Sequence, residues 1–351
     1  MELYFLDRQF TAISLPVDTA ISVVWSLRYH ECGTFTAVLP LTDGMDDGAA
    51  LLSTAARAVY LCDREHCGRI ETLICRDGLL HSEGRMLECL LYDRVAAADA
   101  VYSGTAAEAV LAAMEQWAGD LSFAPADPAD RTLPQDSEAV QHSMEAGDTL
   151  GKWIHGLLEP IGASYTITLA DGRLRFALVQ GTDRSLDSDP EVGRAVFSEE
   201  FGNIASLEEE LYREEVCTRF YVEGSDGLVV AVETPEAAEN PREGYKKATD
   251  LRPEDFETEN AYRAALVRRG ETLLAAAGER SRLSCVAEYD VQPRYGVDYR
   301  LGDICEIFSP ALGIRMAVRL TALDVVCEGG TLRLYPFFGD GIMRLKTALT
   351  A

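Results

Sequence analysis

From Arg294 to Gly341 the chain alternates apolar and polar positions in short runs separated by turn residues. Ile304, Glu306 and Phe308 take one parity, and Cys305, Ile307 and Ser309 the other. Met316, Val318 and Leu320 alternate with Ala317, Arg319 and Thr321; Leu332, Leu334 and, past Pro336, Phe337 follow. Period-2 runs broken by Gly-Asp, Leu-Gly and Gly-Gly predict an antiparallel meander of three or four strands. Residues 1–40 repeat the pattern: Ile21, Val23, Trp25, Leu27 and Tyr29 share a parity, and Phe35, Ala37 and Leu39 resume it after Cys32-Gly33. A short helix is expected over Asp47 to Ala58. A hairpin follows over residues 58–76, turned at Asp63 to Gly68, and then an apolar run from Leu87 to Tyr92. Cys75, Cys89 and Cys305 fall in strand-like runs. The first ~95 residues therefore read as a β unit, a small barrel or curled sheet.

The period then changes. Val110, Leu111, Met114 and Trp117 recur at helical spacing, and Thr105 with Glu108 fits a capping box. After a Pro- and Asp-rich loop over residues 124–136, a second helix carries Leu150, Trp153, Ile154, Leu157, Leu158 and Ile161, capped by Asp148 or Thr149. Pro160 and Gly162 close it. Asp171-Gly172 between residues 164–169 and 173–179 signals a two-residue hairpin. A second hairpin is expected from Thr218 to Glu233, an exposed polar loop over 234–256, a helix over 257–278 and a strand from Ser281 to Val291. The fold class is α+β, mainly β. The expected organisation is a first β-barrel-like domain over 1–100, an α+β insertion over 101–194, and a second β-barrel-like domain over 195–351 with a helical insertion at about 235–280.

Composition removes several functions. A length of 351 residues exceeds one comfortable core. Asp and Glu number 58 against 32 Lys and Arg, a net charge of −26, which opposes a phosphate backbone and argues against a nucleic-acid binder. No apolar run reaches the ~18 residues of a membrane span. The first residues, MELYFLDRQF, do not resemble a secretory signal, so synthesis in a cytoplasm is expected.

Candidate chemistry is sparse. Cys62, His66, Cys67 and Cys75 cluster, but without the paired spacing of a zinc site, so buried or turn thiols are the favoured reading. Asp183, Asp187 and Asp189 lack the Gly and Glu of a calcium loop and read as a solvated acidic loop. No G-x-S-x-G, H-E-x-x-H or P-loop occurs, and His30-Glu31 lacks a second His. His155 reads as a structural helical histidine. Pairing Cys217 with His142 or His155 as a catalytic couple has only chance support. Trp25, Trp117 and Trp153 read as core rather than as a sugar platform. No catalytic, cofactor or metal residues are assigned. The residues singled out are turn formers, Gly302, Asp303, Gly339 and Asp340, where Gly admits positive φ and Asp bonds nearby backbone.

Several stretches in order resemble the Gp37-like proteins of long-tailed phages and prophages, the family of siphovirus ReqiPepy6. They are Gly84-Arg85 through Leu90, Leu91, Asp93 and Arg94; Ser103-Gly104-Thr105-Ala106; VQGTDRS from Val179; FSEEFGNI from Phe197; RFYVEG from Arg219; Tyr299 through Asp303; Gly313-Ile314-Arg315; Arg319-Leu320; and Phe338-Gly339-Asp340. They span nearly the whole chain. Arg219 departs from the family pattern, where Asn is expected, which weakens that one segment. The resemblance implies a tail-tip or baseplate hub similar to that of phage T4: two β-barrel-like domains with α+β insertions, assembled as a homotrimer. The partners it implies are the distal tail protein, the tape-measure protein and a fibre or spike, with no stable nucleic-acid binding. It implies assembly into a virion or a phage-tail-like particle. An acidic ring wall would let DNA pass without sticking. Two other classes stay open: a receptor- or glycan-binding tail module, and a peptidoglycan hydrolase, for which the ten residues after Gly341 leave no room.

Overall fold

A computed structural model of the chain describes residues 1–41, 45–124, 127–134, 140–189, 191–249, 251–256, 258–278, 280–288 and 291–339. Asp340 lies outside the described residues. The chain divides into two compact units, Met1–Leu207 with Ser284–Phe338, and Glu208–Leu283. Strand predominates over helix throughout.

In the first unit, strands from both ends of the chain share one sheet. Its order runs Tyr4–Leu6, Tyr60–Cys62, Cys67–Arg76, Leu79–Met86, Thr34–Pro40, Ser22–Arg28, Ile314–Glu328 and Thr331–Phe338. Alternation explains the central strands. Val23 and Trp25 point inward on Ser22–Arg28, as do Phe35, Ala37 and Leu39 on Thr34–Pro40. Trp25 lies opposite Phe35, with ring centroids 5.3 Å apart. Burying side chains of this size contributes about 1.5–3 kcal/mol each, and placing one against the other fixes the register.

The C-terminal meander forms as the alternation predicts: Ile304–Ser309, Ile314–Glu328 and Thr331–Phe338 are antiparallel neighbours. Ile314–Glu328 is a single strand of 15 residues that changes partners along its length. Residues 314–319 pair with Ile304–Ser309, and residues 322–328 pair with Ser22–Arg28. The register against Thr331–Phe338 shifts between Leu320 and Ala322. A bulge bends a strand locally, and this one separates the two sets of partners.

The middle of the chain packs on the same unit. The capping box is formed: Glu108 N–H donates to Thr105 Oγ1 at 3.3 Å, and Thr105 N–H donates to Glu108 Oε2 at 2.9 Å. Helix Ala106–Trp117 buries Val110 and Met114, and helix Leu150–Leu158 buries Leu150, Ile154 and Leu158. Both join a core with Leu87, Leu90, Leu91, Tyr165 and Phe176. Asp171 and Gly172 both take positive φ, 50° and 71°, and join Ala163–Ala170 to Arg173–Gln180 in the predicted hairpin.

Two stretches depart from the pattern reading. The run from Leu87 to Tyr92 is not a strand: Cys89–Tyr92 is a helical turn, and the strand is Leu79–Met86. Leu87, Cys89, Leu90 and Leu91 are all buried on that turn, so the run has no exposed positions from which to read a period. Cys89 is accordingly helical rather than in a strand. The expected loop over 234–256 contains a strand, Glu243–Ala248. Only Ala248 of it is buried, so an exposed edge strand gave no inward-facing apolar row.

In the second unit, that strand runs parallel to Arg219–Gly224, which also pairs antiparallel with Val229–Glu233. Helix Glu259–Ala276 covers one face through Val222, Val230, Ala248, Tyr262 and Leu266. On the sheet Arg219 pairs with Glu233 at 2.8 Å and with Glu243 at 2.9 Å, so the residue that departs from the family pattern holds the two outer strands.

Candidate functional site

The most organised polar constellation lies in the first unit and centres on Asp303, one of the predicted turn residues. Asp303 is 4% exposed. Its Oδ1 accepts the Thr182 N–H at 2.8 Å; its Oδ2 accepts Arg184 Nε–H at 2.6 Å and the Arg300 N–H at 2.9 Å. A buried carboxylate is tolerated when it is paired and its lone pairs are filled, and this one meets both conditions. Arg184 continues outward to the Gly193 carbonyl at 3.1 Å. Main-chain bonds run alongside, from Ile304 N–H to Thr182 O at 3.0 Å and from Arg184 N–H to Ile304 O at 2.8 Å.

Gly302 sits beside it with φ 93°. Its carbonyl accepts Arg319 Nη1 at 2.6 Å. The Arg319 guanidinium lies over the Tyr29 ring, 5.8 Å from the centroid. Tyr29 donates its hydroxyl to Gly162 O and accepts the Gly181 N–H, each at 3.1 Å. A Cβ at Gly302 would lie well under 3 Å from the Tyr29 ring, and one at Gly181 well under 3 Å from the Gly302 carbonyl. These two glycines let the backbones meet. One layer on, Glu306, also buried, accepts Arg315 Nε–H at 3.0 Å and the Leu186 N–H at 3.2 Å.

A second network is half-exposed. Arg85 bonds Glu71 at 2.7 Å and Asp93 at 3.1 Å, and Arg69 bonds Glu71 at 2.5 Å and also Asp93. Glu71 falls where the pairing of Cys67–Arg76 with Leu79–Met86 shifts register, so the irregularity directs its carboxylate onto both arginines. The bond from Arg85 lowers the Glu71 carboxyl below its ordinary range. For Asp93, burial pushes upward, but the bonds from Arg69 and Arg85 outweigh it and hold the carboxyl low.

The sequence candidates for chemistry do not converge. Cys62 and Cys67 are joined to each other in a disulfide across the turn. His66 pairs with Asp63 at 3.3 Å, and Cys75 is exposed on the outer half of its strand, not buried. Among the described residues no group of three His, Cys, Asp or Glu side chains is placed to hold a metal. Cys217 belongs to the second unit and His142 and His155 to the first. Trp25 is fully buried, while Trp117 and Trp153 are partly buried and donate their indole N–H groups to Tyr102 Oη and Ser143 O, each at 2.8 Å. Gly339 has φ 72°, as a turn glycine does.

His155 is 4% exposed, 2.8 Å from the Tyr92 hydroxyl through Nδ1, and stacked on Tyr165 at 4.5 Å. Burial lowers its pKa from 6.5 to about 3, with a smaller push from His30. It is a neutral core residue. The unfolded chain takes up this proton near pH 6.5 and the folded chain does not until about pH 3. Stability is therefore fully present above the upper value and drains as the pH falls below it, by at most about 1.4 kcal/mol per pH unit. Urea midpoints measured between about pH 5 and 7 should show this slope, and His155→Leu should flatten it whatever its effect on absolute stability.

What gathers around Asp303 and Gly302 is a set of segments that are distant in sequence: residues 179–186, 299–306, 315 and 319. Four of the stretches that carry the resemblance to the ReqiPepy6 family, at 179–185, 299–303, 313–315 and 319–320, meet here. The Siphovirus ReqiPepy6 Gp37-like protein family matches residues 1–340. The chain belongs to that family. No curated protein is similar in sequence. Several solved structures share the fold over almost their full length. The tail protein from Neisseria meningitidis MC58 is 12% identical, covering 97% of this chain and 96% of that chain, with a TM-score of 0.61. Prophage tail protein gp18 from Listeria monocytogenes EGD-e is 12% identical, covering 98% and 96%, with a TM-score of 0.54. The prophage MuSo2 43 kDa tail protein from Shewanella oneidensis is 11% identical, covering 96% and 98%, with a TM-score of 0.55. At such identity the likeness speaks to fold. This Gp37-like chain thus combines a phage tail family's sequence pattern with a tail-protein fold.

Composition and helical wheels could not have revealed the Arg69, Glu71, Arg85 and Asp93 network. The signal that could have found it was the family stretch through Arg85 and Asp93.

Proposed function

We propose that the chain is a structural hub of a phage or prophage tail tip. It assembles as a homotrimeric ring that joins the end of the tail tube to the tape-measure protein and to a fibre or spike below. The observation that carries this reading is the family match over residues 1–340. The tail-protein fold shared over nearly the whole chain supports it. The sites at Asp303 and Glu306 have the character of clamps: buried, hydrogen-bonded and, among the described residues, without a nucleophile facing a base. That suits a component that bears load rather than one that turns over substrate. In this reading the β-barrel-like domains over 1–100 and 195–351, with the α+β insertion over 101–194, build the ring wall. The charge of −26 keeps a DNA conduit from binding its cargo.

Antibody against the chain, applied to particles that contain it, should label the distal tip of the tail. Label along the tube, on the capsid or nowhere on the particle would contradict the proposal. Purified chain should also leave duplex DNA unbound at physiological salt, and tight binding would remove the conduit argument.

A further inference from the structure

Helix Glu259–Ala276 covers one face of the second unit's sheet, the face that carries Phe220, Val222, Val230 and Ala248. Side chains alternate across a sheet, so Tyr221 stands on the opposite face, and the register sets it directly beside Tyr245 of the edge strand. Tyr245 is 54% exposed, and Val229 on the other flanking strand is 45% exposed. Both tyrosines are held at their tips. The Tyr221 hydroxyl donates to Glu243 Oε1 at 3.2 Å, and the Tyr245 hydroxyl donates to Glu223. Glu243 precedes Tyr245 and Glu223 follows Tyr221 on strands that run parallel, so the two rings lean toward opposite ends of the sheet. Leaning side chains present ring faces rather than edges to what lies above them.

The charged groups around the rings are already paired with one another. Arg219 bonds Glu233 at 2.8 Å and Glu243 at 2.9 Å, and Lys247 bonds Glu223 at 3.2 Å. A charged ligand would have to displace one of these partners, and the net charge of −26 further opposes a phosphate chain. A ligand made of hydroxyl groups meets neither obstacle. Both bonds to Glu243 fall on Oε1 and the one to Glu233 falls on Oε2, so among the described residues each carboxylate keeps an oxygen to accept from a hydroxyl.

We infer that this face binds an uncharged saccharide chain, laid flat across Tyr221 and Tyr245. A sugar ring has an apolar C–H face, which the electron-rich face of a tyrosine attracts. It also has a rim of hydroxyls, which the neighbouring carboxylates accept. Rings already tied down by their hydroxyls lose little further freedom on binding. An extended peptide is less suited, because it is held by a free main-chain edge and by side-chain pockets, and the middle of a sheet face supplies neither. The inference concerns the second unit alone and does not need the ring.

The test applies the purified full chain to an array of immobilised oligosaccharides, uncharged and anionic, and then titrates it with the sugar retained most strongly. Uncharged sugars should be retained. Tyr245→Ala should weaken the titrated affinity by about tenfold. Its urea midpoint and its mass in solution should stay at the parent values, since the side chain is exposed. Tyr245→Phe, which keeps the ring and loses only the hydroxyl, should stay within about threefold of the parent. Lys246→Ala, the next residue on the strand but of the opposite orientation, should bind as the parent does. An array that retains nothing, or only anionic sugars, would overturn the proposal, as would binding indifferent to Tyr245→Ala. So would a fall in oligomeric mass in Tyr245→Ala, because the face would then hold a second copy of the chain.

Discussion

Gly302→Val is expected to yield little or no stably folded chain. Two effects combine at that position. The backbone stands at φ 93°, where a β-branched residue is a steric outlier. Strain of this kind costs about 1–3 kcal/mol. The new side chain would also enter the Tyr29 ring, which cannot swing aside without releasing its bonds to Gly162 and Gly181. Overpacking of that sort adds about 1–3 kcal/mol, against a total stability on the order of 5–15 kcal/mol. Soluble yield and urea midpoint measure the outcome. Gly313→Ala is the control: φ there is 64°, but the space around its Cβ is open, so a loss of about 1 kcal/mol is expected. A Gly302→Val chain with the parent midpoint would remove the Tyr29 junction from the account.

The second large effect is expected at Asp303→Ala. The substitution leaves the Arg184 guanidinium, whose side chain is 15% exposed, without its carboxylate, and frees the Thr182 and Arg300 N–H groups. Removing one member of a buried pair costs about 3–5 kcal/mol, chiefly because the other charge is stranded. The double variant Asp303→Ala/Arg184→Leu should therefore lose less than the sum of the two singles, with a coupling of at least about 1 kcal/mol in urea unfolding. Strict additivity would mean that the pair is not a unit.

Much of the local structure was legible in the sequence because its causes are local. The capping box at Thr105 and Glu108, the Asp171-Gly172 turn and the alternation around Trp25 each need only neighbouring residues. Gly302 and Asp303 could be chosen as turn formers on the same grounds. Their more consequential role was not legible locally. Asp303 binds Thr182 and Arg184, and Ser22–Arg28 pairs with Ile314–Glu328 across nearly the full length of the chain; no periodicity encodes such long-range pairing. The family resemblance pointed to the right segments without saying that they meet. Where nearly every position of a run is buried, as from Leu87 to Leu91, or almost none is, as in Glu243–Ala248, the two-residue period vanishes and strand or loop is misread. The Cys62–Cys67 disulfide likewise follows from how a turn folds back, and spacing had pointed at most to thiols in a turn.

The central claim is that this chain builds a ring by itself. Mass in solution, combined with low-resolution imaging of the purified full chain, tests it most directly. The account predicts a particle of three chains enclosing a central hole. A stable monomer that degrades cell-wall material would contradict it.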